Sequence, residues 1–213
     1  MVAPVAHPAE LVPARASLTT ARLAAFGCRA CELWERATQT VFGEGPIDAP
    51  LFLAGEQPGD REDIEGHPFV GPAGRELARG LEAAGIERRE IYLTNVVKHF
   101  KYKARGKRRI HQKPDASEIG ACKPWLEAEL AVVKPDALVC LGATAAQALL
   151  GRDFRVTRQR GKPVESSLAP LVTATIHPSA ILRQRDEQER AAEREAFAAD
   201  LRAAATALAA RSS

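Results

Sequence analysis

Four short apolar runs limit what this sequence can fold into. They are P-L-F-L-A-G at 50–55, E-I-Y-L-T-N at 90–95, A-L-V-C-L at Ala137–Leu141 and L-V-T-A-T-I at 171–176. Each is too short for a buried helix and each ends in, or runs directly into, Gly or a polar residue, which reads as a buried strand feeding a loop. Helical patterns lie between them. Residues 72–84 place Pro at a first turn and Gly85 as the stop, and residues 115 to 134 open on D-A-S-E and close before Pro135. Residues 144–150 form a further helix. An Ala-rich helix over 187–210 would bury Phe197, Leu201, Ala204 and Leu208 as a stripe. Strands alternating with helices predict an α/β fold, a parallel sheet between helix layers. Residues 18–42 also carry helical spacing, at Leu23 and Phe26, and 154–164 reads as a hairpin or an irregular excursion. Residues 1–17, rich in Ala and Pro without a period, read as a flexible tail, leaving 18–211 as one domain.

In open α/β sheets, sites form at the carboxyl ends of strands. Here those ends deliver Glu56, Gln57, Gly59 and Asp60, then Asn95, then Gly142-Ala143-Thr144, then His177-Pro178-Ser179. The second end runs into a basic strip. Residues 98–113, K-H-F-K-Y-K-A-R-G-K-R-R-I-H-Q-K, hold eight Lys or Arg, two His, two aromatics and no acid in sixteen residues. The net charge of the chain is only +3, so this is local segregation. Charges that dense repel one another and belong beside an anion, of which phosphate is the obvious candidate. Lys98, Lys107, Arg108 and Arg109 are therefore candidate nucleic-acid contacts, and His99 and His111 are imidazoles able to bind metal or do chemistry near neutral pH. The alternative is a solvated charged loop.

No run of about 20 apolar residues is present to span a membrane. The first residues lack the pattern of an export signal. The expectation is a cytoplasmic protein whose four cysteines are buried thiols or metal ligands, not disulfides. Cys28-Arg29-Ala30-Cys31 has the C-x2-C spacing that lets two thiolates grip one metal, and thioredoxin-type redox pairs share it. A redox pair normally follows a strand, whereas this pair precedes the first one. Cys122, in A-C-K-P-W-L, is a further ligand candidate, and His99 competes with Cys140 for the fourth place. Structural zinc stays open at this level. The G-E-Q-P-G-D turn at 55–60 offers polar groups to a substrate but contains no nucleotide-binding glycine pattern. Phe69, between turn formers, is a stacking platform or core. His177 is a site or structural histidine, and Ser179 a candidate phosphate contact.

Taken together, C-x2-C, G-E-Q-P-G-D, P-F-V-G-P-A-G, T-N-V-V-K, A-C-K-P-W-L, L-G-A-T-A-A and H-P-S, in this order, resemble the iron–sulfur uracil-DNA glycosylases of family 4 from Cys28 to Leu201. The K-R-R-I-H insert, Lys107 to His111, resembles the UdgX subgroup, whose members become covalently attached to uracil-containing DNA. The resemblance implies a three-layer αβα sandwich with a central four-stranded parallel sheet, and a [4Fe–4S] cluster. By position it assigns Glu56 and Gln57 to the first active-site motif, Phe69 to base stacking, Asn95 to reading uracil and His177 to the second motif. Family 4 members carry a ligand Cys directly after the Lys of the second strand exit. Lys98 here is followed by His99, so the implied ligands are Cys28, Cys31, His99 and Cys122, with Cys140 left as core. The expected partner is uracil-containing DNA, single strands preferred, bound by a monomer. Uracil is excised, and His111, helped by Glu56, captures the abasic sugar in a single turnover that acid should suppress. The competing expectations are a multiple-turnover family 4 enzyme and a non-catalytic, metal-stapled nucleic-acid-binding module.

Overall fold

The computed structural model describes residues 8–212. Strands β1 (Leu51–Gly55), β2 (Ile91–Asn95), β3 (Tyr102–Arg105), β4 (Arg108–His111), β5 (Ala137–Leu141) and β6 (Leu171–Thr175) divide into two sheets. The central sheet runs β2-β1-β5-β6 with every pair parallel, in registers such as Gly55↔Asn95 and Leu141↔Thr175. All residues of these four strands are buried. A sheet covered on both faces needs no polar alternation, which is why the strands are apolar throughout.

The side-chain period of two splits the core. Phe52, Ala54, Tyr92, Leu138, Cys140, Val172 and Ala174 join one apolar cluster, and Leu51, Leu53, Ile91, Leu93, Val139 and Leu141 join the other. The helices, in chain order, are α1 (Pro8–Leu11), α2 (Leu18–Phe26), α3 (Asp60–Glu65), α4 (Pro72–Ala83), α5 (Ala116–Val133), α6 (Ala143–Leu150), α7 (Val156–Gln159) and α8 (Glu187–Ser212). Residues of α2, α5 and α6 cover the first face, and those of α4 and α8 cover the second. The αβα sandwich expected from the sequence is therefore present. Phe197, Leu201 and Ala204 form the buried stripe of α8. Gly80 of α4 makes room for it, since a Cβ there would lie 2.5 Å from the Phe197 ring. Asp115 caps α5 by accepting from the Ser117 and Glu118 N–H groups, while Glu118 reaches back to the Asp115 N–H. Among the described residues no helix is long and apolar enough to cross a membrane.

Three local expectations need correction. Leu23 and Phe26 are 64% and 56% exposed, and α2 instead buries Ala21 and Ala25. Small residues let this helix lie close against α5, so its apolar spacing misidentified the inner face. Of the expected tail, Pro8–Leu11 is helical, and Leu11, Val12 and Ala16 pack on the core. Residues 1–7 lie outside the described residues. Third, the basic strip is not a loop. β3 and β4 form an antiparallel hairpin, Tyr102↔His111 to Arg105↔Arg108, closed by the two-residue turn Gly106-Lys107 with Gly106 at φ 59°. Glycine at the first turn position is the hairpin signal that the charge pattern obscured. Residues 154–164 supply the short α7 and a single bridge from Val164 to Val172.

Candidate active site

The strand order reverses between β1 and β5, so their carboxyl ends diverge and open a crevice. A cavity of about 760 Å³ lies there, lined by Glu56, Phe69, Asn95, His111, Thr144 and His177 among others. All four strand exits reach it, as the sequence rule required.

Its floor depends on one glycine. A Cβ on Gly55 would sit 2.4 Å from Asn95 Oδ1 and 2.7 Å from Phe69 Cζ, so only glycine admits both groups. Phe69 holds a left-handed backbone, φ 56°, which costs a non-glycine residue roughly 1 kcal/mol or more. The surroundings impose it: Arg88 Nη2 donates to the Pro68 and Phe69 carbonyls at 3.1 and 3.3 Å, and Gly74 leaves space for the Phe69 carbonyl. The Phe69 ring lies 6.2 Å from the His177 ring. Asn95 is buried, and its Oδ1 has no hydrogen-bond partner among the described residues. Leaving a buried acceptor unpaired costs about 1–3 kcal/mol. An unpaired acceptor in a cavity floor points to a ligand that donates to it.

His177 stands across the cavity. Its Nδ1 accepts from the Ser179 N–H at 3.2 Å and pairs with Ser179 Oγ at 2.8 Å, which leaves the proton of the neutral ring on Nε2. Arg183 donates to the same Ser179 oxygen at 2.9 Å. Ser179 thus orients the imidazole, and its hydroxyl is already engaged where a phosphate contact was expected. Burial, aided by the nearby Arg183 and His111, pushes the His177 pKa down to about 4. The ring is therefore a neutral donor at pH 7. Because the folded pKa lies below that of an unfolded histidine, the unfolded chain binds the extra proton between pH 6.5 and 4. Stability present above pH 6.5 is lost as pH falls through that window, approaching roughly 3 kcal/mol. Urea unfolding at pH 7 and pH 4.5 should show this loss, and His177→Gln should shrink it.

The opposite wall carries a carboxylate and a second imidazole. Thr144, in the first turn of α6, donates to Glu56 Oε2 through a short contact. The other oxygen, Oε1, lies 3.4 Å from His111 Nε2. His111, at the end of β4, is half-exposed at the cavity mouth. Gln57 takes a role the sequence did not reveal. Its Oε1 accepts from the Lys101 N–H at 3.1 Å, and its Nε2 donates to the Lys101 and Gln112 carbonyls at 3.3 and 3.0 Å. Its amide is spent on the base of the hairpin, beside His111.

Two expected phosphate contacts are corrected. Lys98 is 1% exposed, its ammonium 2.5 Å from the fully buried Glu129. Arg109 is held by Asp60 and Asp63, each at 2.5 Å, and lies over the Phe100 and Tyr102 rings. It ties the hairpin to α3, and Asp60 serves that contact. Gly59 is the residue before α3 and lines the cavity. Lys107 and Arg108, with Lys103, Arg105 and Lys113, remain exposed with no acidic partner among the described residues.

All four thiols lie in or against the first apolar cluster, and they differ in their neighbours. Cys28, Cys31 and Cys122 share one apolar cluster, where the charge of each neighbour adds to burial in raising the Cys31 and Cys122 pKa values, the latter to about 12. Trp125 Nε1 donates to Cys28 Sγ at 3.3 Å, and the Lys98 N–H donates to Cys122 Sγ at 3.2 Å. Cys140 is raised to about 12 by burial alone, with no thiol neighbour contributing. His99 is buried, with Nε2 2.9 Å from Thr40 Oγ1. Among the described residues no three His, Cys, Asp or Glu side chains stand close enough to hold a metal ion. The three thiols suit a soft metal or an iron–sulfur group in kind, whereas His99 is turned to Thr40.

The Thr144 contact to Glu56, Gln57 as a hairpin anchor and the pocket-lining Lys113 and Arg183 were not identified from sequence. Their partners are distant along the chain, and only the L-G-A-T motif beside a strand end pointed toward Thr144.

Known proteins bear on this site. The model of the uracil DNA glycosylase superfamily matches residues 42–202. A type-4 uracil-DNA glycosylase of Thermotoga maritima is 37% identical over 164 residues, covering 76% of this chain and 82% of that protein. The type-4 enzymes of Sulfurisphaera tokodaii and Archaeoglobus fulgidus are each 35% identical, covering 74% of this chain and 72% and 79% of theirs.

Proposed function

The chain belongs to the uracil DNA glycosylase superfamily, and from that premise we propose that it excises uracil from DNA and is then captured by the abasic sugar through His111. One observation carries the proposal. The unpaired Asn95 Oδ1 and the His111–Glu56 pair face the same cavity.

The exposed cations of the hairpin and Lys113 hold DNA phosphates, which makes binding salt-sensitive. Uracil leaves the base stack and lies against Phe69. Single strands are preferred because no base pair must be broken. Asn95 Oδ1 accepts the uracil N3–H. Cytosine has no hydrogen there and leaves the acceptor unpaired, which is the basis of discrimination. As the N1–C1′ bond breaks, its electron pair departs with uracil, and the sugar becomes an oxocarbenium ion. His177 Nε2–H, neutral and fixed by Ser179, donates to the uracil oxygen where that charge develops. One nitrogen of His111 then attacks C1′ while the other passes its proton to Glu56. The nucleophile must be neutral, so adduct yield falls in acid. With the Gln57 amide spent on the hairpin, no acid stands at that position to activate water.

A [4Fe–4S] cluster belongs to the same proposal; Cys28, Cys31 and Cys122 would hold it, with His99 as fourth ligand once its ring leaves Thr40. It would staple the N-terminal segment to α5 and takes no part in the steps above. Monomeric action and a cytoplasmic location complete the reading.

The test is a denaturing gel after incubation with a uracil-containing single-stranded oligonucleotide. The proposal predicts a slow band equal to protein plus DNA. Free abasic product without that band would instead identify a multiple-turnover enzyme, and unchanged DNA would identify a binding module.

A further inference from the structure

We propose that Lys98 is a positioning residue for Asn95, and that its buried ion pair with Glu129 keeps the base-reading amide aimed into the cavity. The inference rests on the uracil-excision reading above. The Lys98 ammonium makes three short contacts: Glu129 Oε2 at 2.5 Å, Thr94 Oγ1 at 2.6 Å and the Asn95 carbonyl at 2.7 Å. Glu129 accepts in addition from the Gly43 N–H at 2.8 Å, Tyr92 OH at 3.2 Å and Thr94 Oγ1 at 2.9 and 3.0 Å. A charged pair this deep gives up hydration, and an apolar pair of similar volume would hold α5 to the sheet as well. Stability alone does not account for it.

The exit of β2 does. The Val96 and Val97 N–H groups donate to the Gly55 and Glu56 carbonyls, and the Lys98 N–H donates to Cys122 Sγ. Those three N–H groups are thus engaged elsewhere, and the lysine side chain supplies a donor to the Asn95 carbonyl. With its carbonyl pinned from behind, Asn95 is fixed at the strand end. Its Oδ1 is the one atom of this network without a partner among the described residues. The ion pair thus anchors one side of a residue whose other side waits for substrate.

The double substitution Lys98→Met with Glu129→Gln removes both charges. It keeps an acceptor for the Gly43 N–H and Tyr92 OH, fills the volume, offers the Gln amide to Thr94 Oγ1 in place of the lysine, and leaves the Asn95 carbonyl without its donor. The readouts are the urea midpoint, affinity for a uracil-free oligonucleotide, the single-turnover excision rate and the preference for uracil over cytosine. The expected result is a folded protein with unchanged uracil-free DNA affinity, excision slowed about tenfold or more and a reduced uracil preference. A folded variant with rate and preference within about twofold of the parent overturns the proposal. If the double variant does not fold, Thr94→Val removes the hydroxyl shared by Lys98 and Glu129 while keeping both charges. It is expected to slow excision about threefold, and no change there overturns the proposal. A parent protein that excises no uracil would instead refute the underlying reading.

Discussion

His111→Ser is expected to abolish the covalent protein–DNA product while leaving uracil excision measurable. The substitution removes the imidazole from the cavity mouth and leaves Glu56 held by Thr144. In the proposed mechanism, departure of uracil depends on Asn95, Phe69 and His177, which this change does not touch. The oxocarbenium ion still forms, and with no ring at C1′ water takes its place, with Glu56 free to accept the proton. The gel should lose the slow band completely, and alkali should cleave the DNA at the abasic site. A cross-link of undiminished yield would assign the nucleophile elsewhere, with the exposed Lys113 of the same cavity the first alternative.

Asn95→Ala should lower uracil excision by about a hundredfold or more, since a site built around one hydrogen bond loses both binding and discrimination with it. Stability should move the other way, or not at all. Asn95 Oδ1 is buried and unpaired in the free protein, so its deletion relieves a penalty of about 1–3 kcal/mol, against which stands a small new cavity. Urea unfolding and single-turnover kinetics on the same preparation separate these effects. A large loss of stability would make Asn95 a structural residue, and unchanged excision would remove its assigned role.

Much of the fold was legible because the strands are buried on both faces and read as uninterrupted apolar runs. The strand-end rule then named Glu56, Asn95, Thr144 and His177 as neighbours before any coordinates. Charge was read less well. Lys98 looked like part of a phosphate-binding strip because its partner Glu129 lies 31 residues away, and Arg109 finds Asp60 and Asp63 at separations of 49 and 46. A local count of cations cannot show which of them a distant acid neutralises. The hairpin contacts of Gln57 were hidden for the same reason, since the backbone it holds lies 44 to 55 residues further on. Gly106 carried the hairpin signal, but the density of flanking cations drew the reading toward an anionic partner. The sheet network relieves the repulsion among those cations by drawing two of them inward.

The most direct measurement is mass spectrometry of the proteolysed adduct, with the attached nucleotide trimmed to its sugar. The account predicts that the deoxyribose mass sits on the imidazole of His111 and on no other residue. A sugar found on Lys113 or any other side chain, or an intact cross-linked protein whose residue 111 is unmodified, would contradict it.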